Sequence, residues 1–420
     1  MMVMPNTLAE WLAYQEQLHP SAIEMGLERV RRVASRLGLL EAPPRTIIVG
    51  GTNGKGSTTT LLALIYREAG YTVGAYTSPH LFRYNERVAI NGVPVEDAAL
   101  CSAFTAIEQA RAQDSLTYFE FGTLAALWLF RAAKVDVQVL EVGLGGRLDA
   151  VNILDADAAI VTNIGLDHQA WLGSNRDAIG IEKAGIFRSR RPAIVADHAP
   201  PAGLLAAAAT SKAHIQRFDR GDYSYQTGPH SWVWRSGTVA SPPLPLPALI
   251  GSHQLDNAAG AIAVVQTLQP SMPAPWQAIE RALQRVHLSG RMQVQGRFLL
   301  DVAHNAEAAQ VLAQLLRERF QGQRLLWIAG VLDDKPVEGM AAALAPVVSH
   351  AITCDLPSPR GLSAITLASR LTAAGIATQA GGAPAAALAL ALRQAPPDQH
   401  ILISGSFLTL AAIAPLISNV

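Results

Sequence analysis

The sequence has few cysteines and no surplus of either charge. Its 420 residues include two cysteines, Cys101 and Cys354, which lie far apart and in no motif. We interpret them as reduced thiols of a cytosolic protein rather than as a disulfide. Lysine plus arginine number 33, as do aspartate plus glutamate, so the chain lacks the basic excess of a protein that binds nucleic acid by charge.

The sequence also lacks a long apolar run and an N-terminal targeting segment. The longest apolar stretches, such as residues 407–416, are too short to span a bilayer. Residues 1–10 carry no positive charge and no apolar core of signal-peptide length. We therefore expect a cytoplasmic protein that does not bind membranes. Its length and its 50% hydrophobic content predict an ordered protein of two or three domains.

A glycine-rich stretch at residues 50–58 is the strongest chemical signal in the sequence. It lies between an apolar run that predicts a buried strand, residues 46–49, and one that predicts a helix, residues 61–65. Such a turn directs backbone N–H groups and the helix dipole at one point, and Lys55 adds a mobile positive charge. The pattern predicts a loop that binds the phosphates of a nucleotide. The alternative is a glycine-rich turn in which the lysine is incidental.

This stretch departs from the commonest phosphate-loop pattern at one position. Gly56 separates Lys55 from the first hydroxyl residue. Either Ser57 or Thr58 could therefore offer a hydroxyl group to Mg²⁺.

Further strands after the loop predict a parallel sheet. Residues 72–76 form a strand that precedes Ser78, residues 136–142 form one that ends near Glu141, and residues 158–164 form one that precedes His168. Because strand–helix–strand units are parallel, their carboxyl ends share the ligand-binding edge of the sheet. Glu141 is therefore a candidate for Mg²⁺ binding. Taken singly, Ser78 could instead be an ordinary cap or turn residue, Glu141 a solvent-facing acid and His168 a structural histidine.

Several other segments have patterns that predict local structure or a domain boundary. Residues 22–37 predict a helix, and the pair Asn91-Gly92 predicts a hairpin. The aromatic cluster at residues 116–121 could be plain core or the wall of a pocket for a flat ring. A hinge at residues 287–291 precedes a new βα alternation that has no phosphate loop.

Eight motifs, in order and over nearly the whole chain, resemble the folate-adding branch of the Mur ligase superfamily, the bacterial bifunctional dihydrofolate synthases/folylpolyglutamate synthases. The motifs are residues 51–57, 77–81, 141–149, 166–168, 182–186, 289–291, 301–305 and 405–407. The resemblance implies an α/β fold with a phosphate-loop ATPase domain around a parallel central sheet, residues 1–286. It also implies a smaller C-terminal Rossmann-like α/β domain, residues 287–420, for glutamate binding and nucleotide closure.

The resemblance also implies roles for individual residues. The ATP contacts would be Gly51, Thr52, Asn53, Gly54, Lys55, Gly56, Ser57, Asn257, Arg291 and Asp301. The ligands of two Mg²⁺ ions would be Ser78, Glu141 and His168. Lys183 would be carbamylated, although most lysines near helix ends are simply solvated, and His304 would lie near the incoming glutamate. The pterin site would be lined by Ala22, Ile23, Glu24, Met25, Thr117, Tyr118, Phe119, Glu120, Leu148, Asp149 and Ala150.

The implied reaction is the ATP-dependent addition of L-glutamate to dihydropteroate, or to the glutamate tail of reduced folates, through an acyl phosphate. Lys55, Arg291 and Mg²⁺ would neutralise the charge on the transferred phosphoryl group. We expect a monomer that acts on small molecules. Val151 and Leu408 stand where the family usually has threonine and histidine. Neither is a proposed metal ligand, so these departures leave the reaction class unchanged and leave the substrate preference open.

Three other functions compete with this one. The chain could perform only the polyglutamylation reaction. It could be a peptidoglycan-type ligase for a UDP-sugar peptide, but the stretch before the phosphate loop is too short for the extra domain such a ligase needs. Finally, it could be a nucleotide-dependent switch that binds a partner protein.

Overall fold

The computed structural model describes residues 4–21 and 23–417. The chain divides into two compact units. The first comprises Met1–Ala248 and Ser252–His287, and the second comprises Leu249–Gly251 and Leu288–Val420. Within the described ranges, no helix is both long enough and apolar enough to cross a membrane.

The main sheet of the first unit is mostly parallel. Its strands are β1 (Arg45–Gly50), β2 (Val73–Tyr76), β3 (Val88–Ile90), β4 (Val93–Pro94), β5 (Val137–Glu141), β6 (Ala158–Val161), β7 (Pro192–Val195) and β8 (His214–Arg217). Their spatial order is β4-β3-β2-β5-β1-β6-β7-β8, and only the pairings of β3 are antiparallel. The central strand β1 is buried from Thr46 to Gly50, which explains its unbroken apolar run.

The helices of the first unit pack against this sheet or against one another. They are α1 (Leu8–Leu18), α2 (Glu28–Arg36), α3 (Lys55–Glu68), α4 (Asp97–Arg111), α5 (Tyr118–Ala132), α6 (Gln169–Leu172), α7 (Arg176–Ala184), α8 (Ala202–Thr210), α9 (Ser252–Leu268) and α10 (Trp276–Arg285). Short 3₁₀ turns lie at Tyr84–Arg87 and Ala150–Ile153. A small antiparallel sheet contains β9 (Ser224–Thr227), β10 (Ser231–Ser236), β11 (Val239–Ala240) and β12 (Leu244–Pro245).

The second unit repeats the parallel arrangement on a smaller scale. Its strands are β13 (Gln293–Gln295), β14 (Phe298–Asp301), β15 (Leu325–Ala329), β16 (Val348–Thr353), β17 (Thr378–Ala380) and β18 (Ile401–Ser404), in the order β13-β14-β18-β15-β16-β17. Only β13 pairs antiparallel. Its helices are α11 (Ala306–Phe320), α12 (Val337–Leu344), α13 (Ala364–Ala373), α14 (Pro384–Gln394) and α15 (Phe407–Ile417). The predicted α/β fold class is confirmed.

The hairpin predicted at Asn91 and Gly92 is present, between β3 and β4. Asn91 and Gly92 have φ values of 52° and 76°, the left-handed conformations that a tight hairpin needs. The helix predicted over residues 22–37 is wrong at its start, because α2 begins at Glu28 and residues 23–26 have no regular structure. Glycine, here Gly26, disfavours a helix by about 1 kcal/mol relative to alanine. Ala22 lies outside the described residues.

Candidate active site

The glycine-rich stretch forms a loop between β1 and α3 that has no space for a side chain at Gly51 or at Gly54. A β-carbon added to Gly51 would lie 1.8 Å from Thr162 Oγ1, and one added to Gly54 would lie 2.3 Å from Asn257 Oδ1. Gly54 also has a φ of 81°, a conformation that side chains disfavour. Glycine at both positions therefore lets the loop lie directly against its neighbours.

The residues that follow β6 hold the loop in place. Thr52 N donates to Asn163 O at 2.9 Å, and Asn53 N donates to Asn163 Oδ1 at 2.7 Å. Thr162 Oγ1 donates to Asn53 O at 2.6 Å. Two adjacent strand ends thus build one rigid structure at the carboxyl edge of the sheet.

Helix α3 begins at this loop without a side-chain cap. Thr58 N donates to Gly54 O at 3.0 Å. In an α-helix the amides before that position, here those of Gly56 and Ser57, have no acceptor within the helix. They and the helix dipole favour an anion at this point.

Two lysines converge on one backbone carbonyl of the loop. Lys55 Nζ donates to Gly51 O and Thr52 O, both at 3.0 Å, and Lys183 Nζ donates to Gly51 O at 2.8 Å. Lys183, at the end of α7, is only 4% exposed. Burial, and then the charge of Lys55, lowers the pKa of Lys183 to about 7, and Asp167 and Asp149 oppose this shift. A large fraction of Lys183 is therefore neutral near pH 7.

Glu141, at the end of β5, lies beside Ser78, the second residue after β2. The buried Glu141 accepts a hydrogen bond at Oε2 from Ser78 N, at 3.1 Å. A carboxylate with an adjacent serine suits Mg²⁺, which binds through one or two carboxylates and completes its shell with water and substrate phosphates. The described residues include no group of three or more His, Cys, Asp or Glu side chains that could hold a metal by themselves.

His168 immediately precedes the short helix α6 and has a left-handed φ of 52°. Its backbone N donates to Asp167 Oδ1 at 2.8 Å. It follows β6, so it lies beyond the same edge of the sheet as Glu141, as the sequence predicts.

Two of the three stretches predicted to line a pterin site, residues 22–25 and 117–120, meet the third at the loop of residues 143–149. A β-carbon on Gly143 would lie 2.6 Å from the Phe119 ring, and one on Gly145 would lie 3.3 Å from Met25 Cε. Asp149 accepts at Oδ2 from the backbone N of Gly143 and Leu144, at 3.0 and 2.8 Å. Segments that are far apart in the sequence thus meet at one loop.

The carboxyl group of Asp149 has a raised pKa. Burial raises this pKa to about 6, whereas the backbone hydrogen bonds to the carboxyl group and the charge of Lys55 act to lower it. A third backbone group, Val151 N, donates to Oδ1 at 3.0 Å. The carboxyl group therefore holds the turn that carries Leu148 and Ala150.

In the aromatic cluster at residues 116–121, one ring packs in the core and another faces a charged side chain. Phe121 is core, with its ring centroid 6.3 Å from that of Trp11. Tyr118 faces Arg87, whose guanidinium lies 5.5 Å from the ring centroid. Glu120 is buried and accepts at Oε2 from Thr117 N at 2.8 Å and from Arg29 Nε at 2.9 Å. The sequence does not reveal the contact of Arg29, because no motif contains this residue and Glu120 is 91 residues away.

The predicted residues of the second unit cluster at the ends of β14 and β18. Asp301 accepts from the backbone N of Met292 and of Ala303, both at 2.9 Å. The Arg291 guanidinium lies 5.6 Å from the Phe407 ring centroid, and the His304 ring centroid lies 6.0 Å from it. Arg291 and His304 therefore flank the same aromatic ring.

Asn257, the remaining predicted nucleotide contact, belongs to α9 of the first unit. Its Nδ2 donates to Gln254 Oε1 at 3.0 Å. Its Oδ1 lies over Gly54, so its side chain is next to the phosphate loop.

Comparisons with known proteins identify the family of this chain. Residues 49–265 match the family model of the Mur ligase middle domain, and residues 290–407 match that of the Mur ligase glutamate ligase domain. The dihydrofolate synthase/folylpolyglutamate synthase of Escherichia coli (strain K12) is 42% identical over 418 residues, which cover 98% of this chain and 96% of that protein.

Solved structures are similar over the full length. E. coli FolC in complex with DHPP and ADP has a TM-score of 0.94 at 41% identity and covers 100% of this chain and 99% of its own. A bifunctional folylpolyglutamate synthase/dihydrofolate synthase with Mn, AMPPNP and L-glutamate bound has a TM-score of 0.90 at 41% identity and covers 99% of each chain. The resemblance predicted from the motifs is confirmed: the chain belongs to the dihydrofolate synthase/folylpolyglutamate synthase family of ATP-dependent Mur ligases.

Proposed function

We propose that this chain joins L-glutamate to dihydropteroate and to the glutamate tail of reduced folates, with ATP as the energy source. One observation carries the proposal: an uncapped phosphate loop with two lysines shares a sheet edge with Glu141. The loop at residues 143–149, where the predicted pterin residues meet, follows that strand directly. A relative that is named for both activities supports it. Solved structures of similar proteins with ADP, or with AMPPNP and L-glutamate, support it as well.

The chemistry follows from the weakness of a carboxylate as an electrophile. A carboxylate oxygen of the acceptor attacks the γ-phosphorus of ATP, the bond to the β,γ-bridging oxygen breaks, and ADP leaves. The amine of L-glutamate then attacks the acyl carbon, loses a proton, and displaces phosphate to leave an amide. Lys55 and the first amides of α3 stabilise the charge that builds up on the phosphoryl oxygens.

Mg²⁺, when bound, would neutralise phosphate charge, and its proposed ligands are Ser78, Glu141 and His168. The remaining proposed ATP contacts are Gly51, Thr52, Asn53, Asn257, Arg291 and Asp301. We assign the nucleotide loop and the pterin site to residues 1–286, and glutamate binding, through His304, to residues 287–420. We further propose that the protein acts as a cytoplasmic monomer on small molecules and not on nucleic acid.

We propose that Lys183 is carbamylated in the active enzyme. Its buried amine and its lowered pKa support this, because only the neutral amine adds CO₂, and the product then loses a proton to become an anion. The anion would supply oxygen atoms of the kind that Mg²⁺ prefers. Lys183→Ala should lose ligation activity and should partly regain it when acetate is added. Lys134→Ala, at an exposed lysine, should keep its activity, and acetate should not change it. A fully active Lys183→Ala variant would contradict the proposal.

The test of the function is the dependence of ADP release on each substrate, with the masses of the products. The proposal requires that ADP release needs both L-glutamate and an acceptor, and that dihydropteroate and a reduced folate each gain glutamate. Conversion of reduced folates alone would leave only the polyglutamylation activity. ATP turnover without any acceptor would favour a nucleotide-dependent switch.

A further inference from the structure

The guanidinium of Arg29, on α2, bridges two of the three stretches that converge on the predicted pterin site. Its Nε donates to Glu120 Oε2 at 2.9 Å, its Nη2 donates to the backbone O of Glu24 at 2.6 Å, and its Nη1 donates to Glu24 Oε1. The side chain of Arg29 is 14% exposed and that of Glu120 is 5% exposed. One planar group thus joins residues 23–25 to residues 117–120.

A second connection supports the same junction. His19 Nε2 lies 2.8 Å from Glu24 Oε2, and His19 Nδ1 lies 2.9 Å from Ser115 Oγ. These residues line a polar cleft of about 400 Å³. Glu24 belongs to a segment without regular structure, so side-chain contacts rather than a backbone ladder determine its position.

We propose that Arg29 is a positioning residue that sets the geometry of the dihydropteroate site. It acts by holding the segment of Glu24 and Met25 against the start of α5, and so it holds Met25 and Phe119 at the loop of residues 143–149. The inference rests on the proposed function. Arginine is required because its fork donates to two carboxylates and a carbonyl together, which a lysine ammonium on a single flexible stem does not reproduce.

The molecule offers a matched control three residues further along the same helix. Arg32 donates from Nε and Nη2 to Asp114 Oδ1, at 3.0 and 2.5 Å. It lines the same cleft, but Asp114 belongs to none of the predicted pterin stretches. Arg32→Lys therefore makes the same chemical change in an ion pair that does not hold the site.

The experiment compares Arg29→Lys and Arg32→Lys with the wild-type protein. For Arg29→Lys we expect the KM for dihydropteroate to rise about tenfold, the effect of losing one hydrogen bond to a charged group. The KM for ATP and the kcat at saturating dihydropteroate should stay within about twofold of wild type. Arg32→Lys should leave all three unchanged. Thermal unfolding of both variants shows whether each is folded.

Each other outcome overturns the inference. Equal effects of the two variants, an unchanged KM for dihydropteroate, or an equal rise in the KM for ATP would show that Arg29 serves general stability. If Arg29→Lys does not fold, Arg29→Gln is measured in its place, and failure of both variants to fold would likewise assign Arg29 to the fold. A wild-type protein that never converts dihydropteroate defeats the proposed function as well, so the two failures are distinguishable.

Discussion

The two units are built on similar sheets but differ at the start of one helix in each, α3 in the first unit and α11 in the second. In the first unit, Gly54 precedes α3 and gives it no side-chain cap. In the second unit, Asn305 precedes α11 and its Oδ1 accepts from Ala308 N at 2.9 Å. A capped helix uses its own side chain for a first-turn amide, whereas an uncapped one leaves those amides for a ligand. The same architecture thus carries a phosphate site in one unit and a self-contained turn in the other.

The buried ionisable groups follow the same division. Among the described residues, the buried charged side chains of the first unit are Glu120, Glu141, Asp149, Lys183 and Asp197, whereas the second unit buries Lys335. Burying a charge is costly unless it is paired or hydrogen-bonded. Glu120 and Asp197 are paired with Arg29 and Arg176, whereas burial shifts the pKa values of Asp149 and Lys183, as is common at functional sites. The fold alone does not account for this difference between the units, because both sheets are mostly parallel.

The largest expected effect tests the phosphate loop of the first unit. Lys55→Ala removes the ammonium that donates to Gly51 O and Thr52 O. We expect ADP release to fall at least about 100-fold, because one preorganised charged donor is lost from the phosphoryl-transfer site. Circular dichroism should stay unchanged, and Lys134→Ala is the control at an exposed lysine. Turnover at the wild-type rate in a folded variant would remove the basis for contrasting the two units.

A smaller effect is expected at the second unit. Asp301→Asn replaces one carboxylate oxygen with an amide that cannot accept, so either Met292 N or Ala303 N loses its acceptor. We expect the KM for ATP to rise about tenfold, because Asp301 is a proposed ATP contact that these bonds orient, and one hydrogen bond to a charged group contributes about 1.5–3 kcal/mol.

The control for this variant is Asp355→Asn, in the segment after β16 of the same sheet. Asp355 Oδ1 accepts from Ala364 N at 2.7 Å, so it makes a similar backbone contact outside the predicted site. Equal changes in the KM for ATP for both variants would mean that Asp301 only stabilises its unit.

The sequence predicts those parts of the molecule that local chemistry determines. Asparagine is a favoured helix cap, and Asn305 caps α11. The glycine pattern places the phosphate loop correctly between β1 and α3. Strand β17 was not predicted, because it has three residues and little burial. The role of Arg29 depends on a partner 91 residues away, which periodicity does not reveal. Nor does the motif around Lys183 indicate that its amine is buried against Gly51 O.

That burial yields the smallest and most direct prediction, a change of stability with pH. The pKa of Lys183 is lowered from 10.5 to about 7 by burial and by Lys55. Between these values the unfolded chain holds a proton that the folded chain has released, so the free energy of unfolding rises with pH. Below pH 7 the cost of the buried ammonium is fully present. The gain between pH 7 and pH 8 should be about 1 kcal/mol.

Lys183→Met removes this titration, so its free energy of unfolding minus that of the wild type should be largest below pH 7. The difference should fall by about 1 kcal/mol from pH 7 to pH 8. Urea denaturation in metal-free, CO₂-depleted buffer measures it while Lys183 is an amine, and Lys134→Met removes an exposed lysine as the matched control. A difference that stays flat, or that grows with pH, would mean that the folded chain does not hold Lys183 as a destabilised ammonium. The first unit would then bear no such cost at this position, and Lys183 would no longer count among the groups that distinguish it from the second.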